Sequence, residues 1–131
     1  MPSAVAVFVN DTYETESYDQ GGEAEFARIH ITRTFSGDLE GTARAELLTV
    51  SAREGSAAYV ALDAVSGRLG GREGSFVLEH HGIVSQAGAD TAGVVVPDSG
   101  TGDLEGLTGT ARIAVDPDGT HRLLLDYALP G

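Results

Sequence analysis

The chain has 131 residues, a formal net charge of −12 at pH 7, no cysteine and one methionine. One domain is expected, because two halves would each be too small to bury an adequate core. The lack of cysteine and lysine excludes disulfides, thiolate metal sites, thiol nucleophiles and a Schiff-base amine.

The acidic charge and the absence of a basic cluster argue against nucleic acids and anionic membranes as partners. No apolar run is long enough to cross a bilayer, and the N-terminus lacks the basic and apolar segment of a secretion signal. A soluble cytoplasmic protein is therefore expected.

Glycine divides the chain into short segments that are rich in Val, Ile, Thr, Leu and Phe. There are 18 glycines in 131 residues, against an average near 7%. No window has an apolar stripe of helical period, so the pattern predicts an all-β domain. The predicted strands cover roughly residues 4–12, 25–36, 41–53, 57–69, 72–85, 90–97, 107–116 and 120–129.

The connections between these strands differ in kind. Residues 10–23 are acidic and include Tyr13, and they predict either a solvated connection, the simpler interpretation, or a lid. Gly70-Gly71 suits a tight hairpin between the fourth and fifth strands, whose turn needs positive φ. Residues 116–119, Asp-Pro-Asp-Gly, predict a proline-led turn before the last strand.

Short antiparallel strands must hide the edges of their sheet. An eight-stranded closed antiparallel barrel removes both edges, and its interior would just hold side chains or one small ligand. A two-sheet jelly roll is the alternative that the spacing leaves open.

The sequence GDLEG occurs twice, at residues 37–41 and 102–106, and similar residues follow at 42–45 and 110–113. The offset is about half the chain, which is compatible with two four-stranded halves. The motif is equally well explained as turn chemistry that is used twice.

Three segments carry a resemblance to a known family: residues 34–41 (TFSGDLEG), 66–80 (SGRLGGREGSFVLEH) and 96–104 (VPDSGTGDL). They resemble an uncharacterised family of small bacterial proteins, a domain of unknown function. That family is similar to the allene-oxide-cyclase-like β-barrel superfamily, which includes dirigent proteins and spirotetronate cyclases. The resemblance implies an eight-stranded barrel with a central cavity. Where the family usually has Gln and Glu, this chain has Glu79 and Asp63.

The tight hairpin sets the register of the fourth and fifth strands. Counting back from the turn places Asp63 opposite Leu78 and, one pair further, Ala61 opposite His80. One face of this hairpin holds both of its aromatic rings, so we assign that face to the interior. Its residues are Tyr59, Ala61, Asp63, Val65, Phe76, Leu78, His80 and Gly82.

Asp63 and His80 are then diagonal neighbours within reach of each other. A carboxylate that orients an imidazole is a general acid/base pair, and Tyr59 on the same face could donate a hydrogen bond to a carbonyl or alkoxide. We predict these three residues as catalytic. The alternative is a buried hydrogen bond that only satisfies two polar groups.

Five further residues are predicted to contact a ligand: Phe76, Leu78, Glu46, Tyr127 and Arg33. Glu46 interrupts an apolar stretch, so its side chain is either paired or turned to solvent. Arg33 could keep Asp63 or Glu46 ionised if its face is inward. We favour the alternative, an arginine at the rim whose stem lies along apolar surface.

A metal site is not predicted. His80 and His81 are adjacent in one strand, so their side chains point to opposite faces and cannot bind one ion without a bulge. Motifs for nucleotide or other cofactors are also missing, so no cofactor is expected.

Two functions use the same predicted cavity. The favoured one is a cofactor-independent cyclase or isomerase that acts on an apolar, polyketide- or terpenoid-like metabolite through shape and an acid/base relay. The alternative is a carrier or sensor that binds such a molecule without changing it. A barrel filled by its own side chains would be a purely structural module, and a homodimer is possible.

Overall fold

The structure, a computed structural model, describes residues 2–19, 24–52 and 55–130. None of the described residues forms a helix long and apolar enough to span a lipid bilayer. These residues form nine strands: β1 Ser3–Asp19, β2 Glu25–Gly37, β3 Leu39–Ser51, β4 Ala57–Leu69, β5 Arg72–Ser85, β6 Gly88–Val95, β7 Thr101–Gly102, β8 Thr108–Val115 and β9 His121–Ala128.

Eight of these strands close into an antiparallel barrel. Each strand from β1 to β5 pairs with the next, β6 pairs with β8, β8 with β9, and β9 returns to β1. The two-residue β7 is an extra strand that pairs with β5. The predicted closed barrel is therefore confirmed, and the jelly roll is not formed.

Most predicted strand bounds lie within two residues of the observed ones, but β1 is much longer than predicted. It continues to Asp19, pairing Tyr13 with Ile31 and Ser17 with Ala27 on β2. The prediction of a loop or lid from residue 10 is therefore wrong through Asp19, and residues 20–23 lie outside the described part of the chain. The described side chains of residues 11–17 are exposed, so this part of the strand lacks the apolar alternation that signals a half-buried strand.

A β-bulge at Asp11 divides β1 into two parts. Asn10 pairs with Arg33, and Thr12 pairs with the very next residue of β2, so Asp11 is the additional residue. A bulge reverses which side chains face inward along the strand. Asn10 continues the inward alternation of Phe8, and the bulge lets Tyr13 rather than Thr12 face the open cavity, which both residues line.

The barrel interior is filled at one end and open at the other. At the closed end the segment 96–103 runs beside the first half of β5, where it bonds to Glu73, Ser75 and Val77, and the Leu104 and Leu107 that follow are buried. The described apolar core extends upward from there and includes Phe8, Phe35, Leu39, Val65, Leu69, Phe76, Leu78, Leu123 and Leu125. The opposite end carries the connection between β3 and β4 and the turns after β5 and β8.

The repeated GDLEG motif serves this closed end. In each copy the aspartate N–H donates to a carbonyl of a neighbouring strand, at 3.1 Å in residues 37–41 and 2.9 Å in residues 102–106. The leucine that follows is buried in both copies. The aspartate and leucine are Asp38 and Leu39 in the first copy, and Asp103 and Leu104 in the second. The motif is therefore a turn that sends a leucine into the core, used twice.

Candidate functional site

The β4–β5 hairpin brings Asp63 and His80 together. The register is as predicted, with Asp63 opposite Leu78 and Ala61 opposite His80. His80 Nε2 lies 2.8 Å from Asp63 Oδ1, and both side chains are buried. The tight turn determines the register of β4 and β5, and side chains alternate between the two faces of each strand. The contact could therefore be predicted from the sequence.

Arg33 approaches the same carboxylate from β2, across the intervening strand β3. Its Nε lies 2.9 Å from Asp63 Oδ2, an ion pair in which the N–H does not point at the oxygen. Ala43 lies opposite Arg33 on β3, and Ala45 lies opposite Asp63. These small side chains leave the space in which the two long ones meet. The expectation of an arginine at the rim is therefore wrong, because Arg33 is only 6% exposed.

Arg33 also has two contacts with described residues of β1. Its Nη1 donates a hydrogen bond to Asn10 Oδ1 at 3.2 Å. The guanidinium carbon also lies 5.1 Å from the centre of the Phe8 ring, within the range of a cation–π contact. The arginine is thus fixed by an anion, an amide and an aromatic face.

Tyr59 continues the polar chain on the other side of His80. Its hydroxyl lies 3.1 Å from His80 Nδ1, and the two rings meet edge to face with centroids 5.5 Å apart. Gly82 lies opposite Tyr59, and a Cβ there would come within 2.6 Å of the tyrosine ring, so the glycine leaves room for it. Burial raises the pKa of Tyr59 above its ordinary value, Arg33 partly offsets this, and Asp63 and Glu79 add to it.

The positions of the hydrogens follow from these contacts. With Asp63 as a carboxylate, Nε2 of His80 must donate to it, which leaves Nδ1 of a neutral ring as an acceptor. Tyr59, which is a phenol at neutral pH, then donates to Nδ1 and keeps its oxygen lone pairs for a ligand. If the ring takes a second proton, Nδ1 donates to Tyr59 and the phenol hydrogen is free for a ligand. A second proton on the His80 ring would therefore change Tyr59 from a hydrogen-bond acceptor to a hydrogen-bond donor toward the ligand.

A cavity of about 600 Å³ lies at the open end of the barrel, above the hydrogen-bonded side chains of Tyr59, His80 and Asp63. Tyr59, His80 and Arg33 contribute to its lining, whereas Asp63 lies behind them. Much of the rest is apolar, from Phe8, Ile31, Leu47, Val84, Ile113 and Val115. A second cavity of about 400 Å³ shares Tyr13, Tyr59 and Val84 with it. Cavities of this size and polarity are typical of small-molecule sites.

The other predicted ligand-contact residues lie elsewhere. Phe76 and Leu78 belong to the core below the cavity rather than to its lining. Tyr127 packs against the same core, with its hydroxyl beside the Gly70 turn at the closed end. The structure therefore brings together only Arg33, of the five, with the predicted catalytic residues.

Glu46 is also apart from the cluster. Its side chain is exposed on the outer face, where it forms an ion pair with Arg28 at 3.4 Å. His81 likewise points outward and contacts Glu79 at 2.9 Å. Among the described residues no group of three or more His, Asp or Glu side chains is arranged to hold a metal ion.

Sequence reasoning missed several residues of the cavity, above all Asn10 and Thr91. Asn10 lies where the predicted first strand and the predicted acidic connection overlap, and it faces inward because it continues the alternation of Ala6 and Phe8. Thr91 Oγ1 donates to the carbonyl of Ile113 at 2.9 Å and accepts from its N–H at 3.0 Å. Nothing in the local sequence signals a threonine that replaces main-chain pairing.

Comparison with known proteins gives a family but no activity. Residues 5–127 match the family described as protein of unknown function (DUF3224). A crystal structure of a protein with unknown function from that family, from Shewanella oneidensis MR-1, is 33% identical with a TM-score of 0.86. The alignment covers 100% of this chain and 98% of that one. No curated protein matches this sequence, and none of these matches supports the wider allene-oxide-cyclase-like assignment.

Proposed function

This chain belongs to the DUF3224 family, and we propose that its barrel binds a small, mostly apolar molecule and isomerises or cyclises it without a cofactor. The molecule lies in the open half of the barrel, above the buried polar chain. Its hydroxyl or acidic C–H group meets the hydroxyl of Tyr59. His80 and Asp63 act on the ligand through that hydroxyl.

One observation carries this proposal. Hydrogen bonds run without a break from the cavity to a buried carboxylate, from Tyr59 to His80 at 3.1 Å and from His80 to Asp63 at 2.8 Å. Such a series lets a ligand exchange a proton with groups that are themselves shielded from water. The proposal differs in one respect from the prediction made from the sequence. Tyr59, rather than the Asp63–His80 pair, exchanges the proton directly with the ligand.

The proton steps balance without any further reactant. As the ligand gives a proton to the oxygen of Tyr59, the hydroxyl proton of Tyr59 passes to Nδ1 of His80. The electron pair left on the ligand moves to form a new double bond or to close a ring. The proton then returns through Tyr59 to a different ligand atom, and the result is an isomer.

The neighbouring residues suit these steps. Asp63 stabilises the imidazolium that forms on His80, and Arg33 holds Asp63 in place. The apolar wall would hold the ligand in a reactive conformation, and such orientation can supply roughly 7–11 kcal/mol of the barrier. The resemblance of the family to the allene-oxide-cyclase-like superfamily agrees with this chemistry as an analogy only.

A second candidate is a carrier that binds the same kind of molecule unchanged. It is favoured by the fact that Tyr59, His80 and Asp63 already satisfy one another, as the polar groups of a structural network would. In that case the cavity needs only to fit the ligand, and no proton moves.

Deuterium exchange distinguishes the two functions without knowledge of the natural ligand. A panel of apolar cyclic ketones with acidic C–H groups would be incubated with the protein in D₂O, and exchange would be followed by NMR. We expect exchange above the buffer rate, with a loss of about 100-fold in Tyr59→Phe. Tyr127→Phe removes the same atom at the closed end and should exchange like the wild type.

The outcomes separate cleanly. Exchange that survives in Tyr59→Phe would contradict the role of Tyr59. Ketones that displace a fluorescent probe from the cavity but do not exchange would favour the carrier. If none of the panel binds, the cavity is not a site for such molecules.

A further inference from the structure

The barrel wall is incomplete between β6 and β8. Both strands have eight residues, but they pair only at Gly93 with Ala111 and at Val94 with Thr110. By contrast, β5 pairs with β6 at eight positions, and so does β8 with β9. Above these two pairs, toward the open end, β6 and β8 have no main-chain pairing with each other.

Thr91 marks the point at which the two strands separate. The register that pairs Gly93 with Ala111 would place Thr91 opposite Ile113 and join their main chains. Instead, the hydroxyl of Thr91 bonds to both the N–H and the carbonyl of Ile113, at 3.0 and 2.9 Å. The Thr91 hydroxyl therefore bridges the two strands where main-chain hydrogen bonds would otherwise join them. We call the gap between β6 and β8 from Thr91 toward the open end the β6–β8 seam.

The lining of the 600 Å³ cavity shows that this seam reaches the interior. Almost all lining residues belong to the inward face of their strands. Asp90, Arg112 and Ala114 belong to the outward face, and all three flank the seam on β6 and β8. Thr91 and Arg112 also line a groove on the outer surface, so the cavity and the groove meet at the seam.

Arg112 is the cation at this opening. It is exposed, and it has no ion pair or hydrogen bond with any described residue, whereas Arg33 inside the cavity is paired with Asp63. A guanidinium offers several donors in a plane that matches a carboxylate, sulfonate or phosphate group. Asp90 lies on the other side of the seam and would oppose such a group.

We infer that the ligand of the cavity is an elongated molecule with an anionic group, and that Arg112 binds this group at the β6–β8 seam. Its apolar body lies in the cavity, and its reactive end meets Tyr59. The inference deepens the proposed function and rests on it only in requiring that the open half accept a ligand. It does not require that the ligand react.

Two fluorescent probes that differ by one group test this directly. 8-Anilinonaphthalene-1-sulfonate carries a sulfonate, and N-phenyl-1-naphthylamine is the same scaffold without it. We expect Arg112→Gln to weaken sulfonate binding about three- to tenfold, the range for a partly exposed charge pair, and to leave the neutral probe unchanged. Asp90→Asn should strengthen binding of the sulfonate probe alone.

Two control variants complete the experiment. Arg44→Gln removes an exposed arginine from the outer face of β3 and should leave both probes unaffected. Ala89→Trp places an indole into the cavity and should prevent both probes from binding, which shows that they bind inside.

An equal effect of Arg112→Gln on both probes, or no effect on either, would overturn the inference while the proposed function stands. If neither probe binds the wild type in a way that Ala89→Trp prevents, the cavity takes no such ligand and both fail. Selective loss of the sulfonate in a protein that catalyses no deuterium exchange would support the inference and favour the carrier.

Discussion

Arg33 Nε lies 2.9 Å from Asp63 Oδ2, although the two residues belong to strands separated by β3. Both side chains are buried, so removing the arginine leaves the carboxylate with its hydrogen bond to His80 but without the guanidinium charge. We predict that Arg33→Met lowers the free energy of unfolding by about 3 kcal/mol or more, measured by urea denaturation. Replacing Asp63 by Asn in the same chain should recover part of this loss.

Arg28 provides the matched control on the same strand. Its ion pair with Glu46 is exposed, and such pairs contribute less than about 1 kcal/mol. Arg28→Met should therefore leave the urea midpoint nearly unchanged. Equal losses in the two variants would mean that burial of the Arg33 pair does not determine its contribution.

Alkaline pH provides a second prediction, on Tyr59. Burial raises its pKa in the folded protein above the ordinary tyrosine value of 10.0. Above that value the unfolded chain loses the proton first, so the folded state binds more protons and stability falls as pH rises. The stabilising contribution of the phenol is complete below pH 10.0 and is lost as pH rises through the folded pKa.

Tyr59→Phe removes this titration. Its unfolding free energy should fall less steeply with alkaline pH than that of the wild type. Ultraviolet absorbance of tyrosinate should also show one late-ionising tyrosine that disappears in the variant. Parallel pH curves for the two proteins would contradict the assignment.

Gly41 and Gly67 support a third prediction, on the fold beneath the site. They lie opposite each other on β3 and β4, and a Cβ on Gly67 would lie 2.7 Å from the Gly41 Cα and collide with the carbonyl of Glu40. Gly67→Ala should destabilise the protein by about 1–3 kcal/mol or more, as overpacking does. The neighbouring exposed Ser66→Ala should cost less than about 0.5 kcal/mol in the same denaturation experiment.

The part of the site that the sequence could predict comes from one hairpin. A Gly-Gly turn sets the β4–β5 register without ambiguity, so the positions of Tyr59, Asp63 and His80 follow from counting. The need to hide strand edges favours a closed barrel, but the spacing of the strands also allows a jelly roll, so the pairing of β9 with β1 had to come from the structure.

The part that could not be predicted depends on contacts between distant strands. The burial of Arg33 requires small residues on β3, such as Ala43, and the amide of Asn10, which lies opposite Arg33 on β1. Local sequence does not specify these, and arginines are seldom buried unless they are paired. Glu46 was predicted to contact the ligand but lies on the outer face. Because several valines and leucines of this barrel are exposed, an apolar stretch does not identify which residues face inward.

The seam between β6 and β8 allows the last prediction. Thr91→Val keeps the branched shape that separates the strands but removes the hydroxyl, leaving the N–H and carbonyl of Ile113 without these bonds. An unsatisfied, partly buried polar group costs about 1–3 kcal/mol, so we expect a loss of stability in that range and faster amide exchange at Ile113. Thr108→Val, at an exposed position of β8, the strand that contains Ile113, is the control. Slower exchange at Ile113 in Thr91→Val would show that the strands close once the hydroxyl is gone, and that the seam is not a fixed feature of the wall.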